Sequence, residues 1–180
     1  MKKLLYYFKD PFKDLLNVKT LTVCSMLIAL CVVSSFLSFY VTNALKFSLT
    51  FIFIAIIAMK FGPIIAAFSA ALTDIIQFIA KPVGPYQPLL TLSCALTGII
   101  FGLFLYKNKT NIWRIIVSKT IITVLISSLL DTYFISMLYG KVFTEFFIIR
   151  LPKNIILLPI EILILISIIR FINKNKLINK

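Results

Sequence analysis

RLPKNIILLPIE, residues 150–161, opens the last apolar run of the chain and places Arg150, Lys153, Glu161 and two prolines inside it. Lipid offers no partner to a charge or to the carbonyl that a proline frees, so each of these residues needs a reason to be there. The run continues as ILILISIIRF to residue 171. From Pro152 onward it supplies the roughly 20 residues that a helix needs to cross the hydrocarbon core. The reading that fits both observations is a membrane helix with one polar face.

The rest of the chain has the same character. Of its 180 residues 61% are hydrophobic, against about 45–50% in a soluble domain, and the mean hydropathy is +1.04. The net charge of +13 comes from cations at the ends of apolar runs, where they orient a membrane protein, rather than from a nucleic-acid-binding face. Cys24, Cys31 and Cys94 all fall within apolar runs and read as small hydrophobes, with no disulfide expected. The sequence contains no histidine, which removes most zinc sites and every Ser-His or Cys-His nucleophile. Nor does it contain GxxxxGK[ST], so no P-loop binds ATP. Transport or binding fits better than chemistry, and neither a cofactor nor a metal is expected.

Six spans follow from the hydropathy, at 20–41, 47–60, 63–80, 88–106, 113–138 and 152–171. The expected architecture is therefore an all-α integral membrane protein, a single six-helix bundle over 20–171. A basic interfacial segment (1–19) precedes it and a basic tail (172–180) follows. The first segment, broken by Lys9 and Asp10, is a poor signal peptide and a better interfacial helix. Six spans place both termini on one side. Fourteen of the nineteen Lys and Arg residues lie on that side, so the termini are expected in the cytoplasm. The other five, Lys46, Lys81, Lys141, Arg150 and Lys153, lie in or beside the external segments 42–48, 81–87 and 139–151. Lys46 and Lys81 read equally well as lysines snorkelling to headgroups.

Polar residues recur at helical spacing. Thr120, Thr123, Ser127 and Asp131 form one stripe, and Asp74, Gln77 and Lys81 another, the latter beside the small residues Ala66, Ala67, Ala70 and Ala71. Interhelical hydrogen bonding explains either stripe as well as a ligand does, although an acid within a span is costly and points more strongly to function. The external turn KPVGPYQP (81–88) is stiffened by three prolines and holds Tyr86 and Gln87 in place. In the first span Ser25 and Ala29 form a small-xxx-small pair that lets another helix approach.

Taken together, GPYQPLLTLSCALTGIIFGLFLY (84–106), DTYFISMLYGKVF (131–143) and RLPKNIILLPIE (150–161) resemble the substrate-binding (S) components of energy-coupling factor (ECF) vitamin importers. Within that family the resemblance is to the folate-type, FolT-like group. It runs over nearly the whole chain, and FGPIIAAFSAALTD (61–74) is text common to S components for different vitamins. The resemblance implies a non-enzymatic, six-helix, multi-pass protein of a prokaryotic plasma membrane. Such a protein captures a vitamin from outside and passes it to a transmembrane coupling subunit driven by two separate ATPases. It also implies that Ser25 and Ala29 touch the coupling subunit. One departure is clear: Asp131-Thr132-Tyr133-Phe134 stands where the folate-type pattern has Asn-Thr, with a Trp two residues on.

Folate joins a flat pterin, through an aromatic ring, to a glutamate with two carboxylates. Its chemistry assigns Arg150, Lys153 and Asn154 to the polar ligand, Arg150 as a planar bidentate partner and Lys153 as a point charge. Tyr86 and Gln87 cover the ligand, Asp131 reads the pterin's N–H donors, and Lys46 assists from the first loop. Glu161, about 16 Å along the helix from Arg150, is expected to be structural or tied to the cytoplasmic half. Pro152 is expected in the first helical turn and Pro159 inside the helix, kinking it. Three alternatives stay open: an S component for a different vitamin or precursor, a small enzyme acting on lipid headgroups, and a purely structural subunit.

Overall fold

The computed structural model describes residues 17–36, 39–42, 45–82, 85–106, 111–140 and 143–174. Most of the N-terminal segment, the end of the basic tail and Lys141 thus lie outside the described residues. The chain divides into two compact units, one formed by 1–38 and 48–108 and the other by 39–47 and 109–180.

The first unit contains four helices. Helix α1 (Val18–Phe36) starts where Asn17 Oδ1 accepts the Lys19 N–H at 3.1 Å, a side-chain cap for one of the open first-turn donors. Helix α2 (Thr50–Phe61) is about 18 Å long, short against a hydrocarbon core of roughly 30 Å. It ends at Gly62, whose φ of +92° lies outside the region open to ordinary residues. Pro63 then begins α3 (Pro63–Ala80) in the first helical turn, where its missing N–H costs nothing. Helix α4 (Pro88–Leu105) starts with a proline in the same way.

Helices α3 and α4 cross closely because the crossing is made of small residues. A Cβ on Gly98 would stand 2.6 Å from the backbone of Ala66, and one on Gly102 2.3 Å from Pro63 Cα. Ala66, expected from the sequence to allow close packing, is fully buried there. The expected spans two, three and four agree with these helices to within a few residues.

A short antiparallel hairpin, β1 (Phe39–Thr42) and β2 (Leu45–Phe47), belongs to the second unit and pairs Lys46 with Tyr40. This hairpin is an addition to the all-helical expectation. The fifth span is one continuous rod made of α5 (Ile112–Ile121), a π-helical stretch (Ile122–Leu130) and α6 (Asp131–Tyr139). The wider winding shows in its bonds: the Asp131 N–H donates to Ile126 O, and the Ser128 hydroxyl to Thr123 O, each five residues back.

Helix α7 (Phe143–Lys174) has 32 residues, about 48 Å, and begins nine residues before the expected start of the sixth span. The placement of Pro152 in a first turn is therefore corrected. Both Pro152 and Pro159 are interior to the helix, because the apolar segment FTEFFII (143–149) winds into it rather than forming a loop. Both prolines lie on an exposed stripe with Ile148, Ile155 and Leu163. The opposite face carries the half-buried Arg150, Lys153, Asn154 and Glu161, and deeper along it Leu165 and Ile169 are fully buried. Five described helical segments are long and apolar enough to cross a membrane, and α2 is a sixth, shorter one.

Candidate solute-binding site

In the second unit the polar face of α7 meets the rod. The Asn154 amide donates to Ser128 Oγ at 3.0 Å. Arg150 lies near enough to Asp131, the first residue of α6, for the two charges to attract. Lys153 is repelled by Arg150 and attracted by Glu161. Burial strengthens these interactions, since charges away from water are poorly screened.

Glu161 has a closer partner. Its Oε2 lies 3.1 Å from Lys119 Nζ on α5, and both side chains are largely buried, 16% and 6% exposed. Lys119, one of the fourteen cations assigned to the side of the termini, lies within the expected fifth span 113–138. It sits seven residues inside the rod and pairs with an acid. Both charges need the pairing, since either one alone within a span is costly.

The expected stripe Thr120, Thr123, Ser127 and Asp131 is partly replaced. Ser118, Thr123, Ser128, Thr132 and Ser136 are buried hydroxyls of the rod, while Ser127 and Asp131 are half-buried. The π-helical winding moves the inward face on by one residue, from 127 to 128 and from 131 to 132. Ser128, the partner of Asn154, was not singled out in the sequence for this reason.

In the first unit the rigid turn is tied to the helices beneath it. Thr91 on α4 donates to Asp74 Oδ2 on α3 at 2.7 Å. Its oxygen therefore accepts from the Tyr86 hydroxyl, 2.9 Å away. The Tyr86 ring packs at a tilt on Phe78, with centroids 5.0 Å apart. Gln77 turns to another neighbour, donating to Cys31 O at 3.4 Å. The Asp74–Gln77–Lys81 stripe is thus at least partly a packing device. Gln87, 9% exposed, has a buried Oε1 that accepts no hydrogen bond from any described residue, and the same holds for Ser93 Oγ.

Of the expected site residues, Arg150, Lys153, Asn154 and Asp131 come together on α7 and the rod, and Tyr86 and Gln87 stand together at the start of α4. The Lys46 side chain lies outside the described residues. Ser25 and Ala29 are exposed on α1, beside the exposed Met26, Leu30 and Val33. Among the described residues no group of His, Cys, Asp and Glu is arranged to hold a metal.

The family model for the substrate-specific component of ECF transporters matches residues 19–169. A folate transporter FolT of Clostridium novyi is 30% identical over 139 residues, covering 77% of this chain and 81% of its own. Another, from Streptococcus mutans, is 30% identical over 168 residues, 89% of each chain. Among solved structures, a crystal structure of FolT bound with folic acid is similar with a TM-score of 0.79 and 34% identity, over 84% of this chain and 93% of that one. With six apolar helices among its described residues and a match to the family model over most of its length, this multi-pass membrane chain belongs to the substrate-specific components of ECF transporters, in the folate-transporter group.

Proposed function

We propose that the chain is the folate-capture subunit of an ECF importer in a prokaryotic plasma membrane. It binds its solute from outside and hands it on chemically unchanged. The observation that carries this reading is its likeness to a FolT solved with folic acid, joined to a cationic pair, Arg150 and Lys153, on the inward face of a membrane helix. Folate is an anion at neutral pH, and cations on the polar face of a span suit an anionic solute.

In this reading Arg150 and Lys153 take the glutamate carboxylates, and Asp131 steadies Arg150. Asn154 is held by Ser128 and lines the same face. Tyr86 and Gln87 cover the ligand, and Lys46 assists. The unused Gln87 acceptor supports a ligand contact, since an unmet buried acceptor costs about 1–3 kcal/mol. The fourteen-to-five split of Lys and Arg residues between the two sides supports cytoplasmic termini by the positive-inside bias. The exposed Ser25–Ala29 surface faces the coupling subunit, and two ATPases drive the assembly.

The carboxylate at Asp131, where the folate-type pattern has Asn, favours a second reading, capture of a related vitamin or precursor. Mass spectrometry of the small molecule that copurifies with the chain separates the two. Folate supports the first reading, and a different solute replaces it with the second.

A further inference from the structure

Asn154 follows Lys153 in the chain and lies one helical turn after Arg150 on the polar face of α7, about 6 Å along the axis. Its two cationic neighbours can only donate to a ligand, whereas a carboxamide donates or accepts according to which way it is turned. The rod decides which way. Ser128 is 6% exposed, and its hydroxyl lies 2.9 Å from Thr123 O, five residues back in the π-helical stretch. A carbonyl oxygen can only accept, so the one hydroxyl proton of Ser128 is spent there. Ser128 Oγ therefore accepts from Asn154, and the amide nitrogen of Asn154 faces it at 3.0 Å. The amide oxygen lies on the other branch of the planar group. Asn154 makes no further hydrogen bond among the described residues, so that oxygen is open to a donor.

We propose that Ser128 is a positioning residue for ligand recognition, turning the Asn154 amide so that Oδ1 accepts an N–H of the ligand. In folate the N–H closest to the carboxylates belongs to the amide that joins the glutamate to the aromatic ring. With Arg150 and Lys153 on the carboxylates, that N–H is the donor within reach of Asn154. An acceptor at this place also opposes a ligand that brings a carboxylate to the same point, since two acceptors leave each other unpaired. The polar face of α7 thereby reads both the charge and the amide of the glutamate end. The proposal deepens the folate reading and rests on it.

The test uses the intact purified chain and two ligands: folate, and pteroate, which has the same pterin and aromatic ring but ends in a carboxylate in place of the glutamate amide. The readout is the ratio of their dissociation constants, which cancels general damage to the fold. If the parent chain binds neither ligand, the folate reading itself fails, and that result is distinct from failure of this proposal. In Asn154→Ala the preference for folate over pteroate is expected to fall roughly tenfold, and in Ser128→Ala, where the amide is free to turn, about fivefold. In Ser128→Ala/Asn154→Ala it is expected to stay within about twofold of the Asn154→Ala value, because Ser128 acts through Asn154. An unchanged preference in Ser128→Ala overturns the proposal, as does a double variant that falls well below Asn154→Ala.

A second measurement reads the amide directly and needs no variant of Ser128 to fold. With asparagine selectively isotope-labelled, the Asn154 side-chain resonances are those that Asn154→Ala removes. One of the two side-chain N–H protons of Asn154 is expected to exchange with water about tenfold more slowly than the other, both without and with folate. Two fast protons in the parent chain, or loss of the protection when folate binds, overturns the proposal.

Discussion

Lys119 Nζ and Glu161 Oε2 are 3.1 Å apart, joining α5 to α7 within the apolar part of the second unit. This contact turns two residues that would each be costly in a membrane into one neutral pair. Breaking such a pair from one side leaves an uncompensated buried charge, at about 3–5 kcal/mol. Glu161→Ala is thus expected to lower the thermal midpoint in detergent well below that of an exposed substitution such as Leu163→Ala. Equal midpoints would show that the pair does not support the fold.

Asn154 and Ser128 provide a milder link between the same helices. Their hydrogen bond at 3.0 Å joins neutral groups, and such bonds in membrane helices average about 0.6 kcal/mol. A double-mutant cycle with Asn154→Ala and Ser128→Ala is expected to return a coupling of that size. A coupling near zero would free Asn154 for the ligand alone.

How far these contacts could be read from the sequence depended on the helical period. Six apolar runs and their order were legible because lipid demands long, uninterrupted stretches. The inward face of the fifth span was not. Ser127 and Ser128 are adjacent, as are Asp131 and Thr132, and a uniform period of 3.6 selects the first of each pair where the π-helical winding selects the second. The Lys119–Glu161 pair was not legible because the two residues are distant in sequence and only the packing of α5 against α7 brings them together. The start of α7 was missed because Pro152 resembles a first-turn proline, and only the helical continuation through 143–149 shows otherwise.

The crossing of α3 and α4 has no room for side chains. With a Cβ on Gly102 placed 2.3 Å from Pro63 Cα, Gly102→Ala must push the two backbones apart. The expected cost is about 1–3 kcal/mol, measured as a fall in midpoint. An unchanged midpoint would mean that this close approach does not hold in the folded chain.

Tyr86 is held by its ring against Phe78 and by its hydroxyl on Thr91. Tyr86→Phe keeps the ring and loses one partly exposed hydrogen bond, so folate affinity should fall only about twofold to threefold. Tyr86→Ala should cost considerably more. Equal effects from the two variants would assign the contribution to the hydroxyl rather than to the ring.

On α1, Ser25 and Ala29 are exposed, and the proposed reading gives them to the coupling subunit rather than to the solute. Ala29→Trp is expected to leave folate affinity of the isolated chain within about twofold while preventing copurification with the coupling subunit. Retained copurification would place that interface elsewhere.

The central claim is that the cationic face of α7 captures the ligand through its carboxylates. Calorimetric titration of folate and pteroate into the purified parent chain and into Arg150→Ala tests it most directly. The expected result is a loss of folate affinity of about tenfold or more, with pteroate affected much less. Folate affinity that is unchanged in Arg150→Ala, or an equal loss for both ligands, would contradict it.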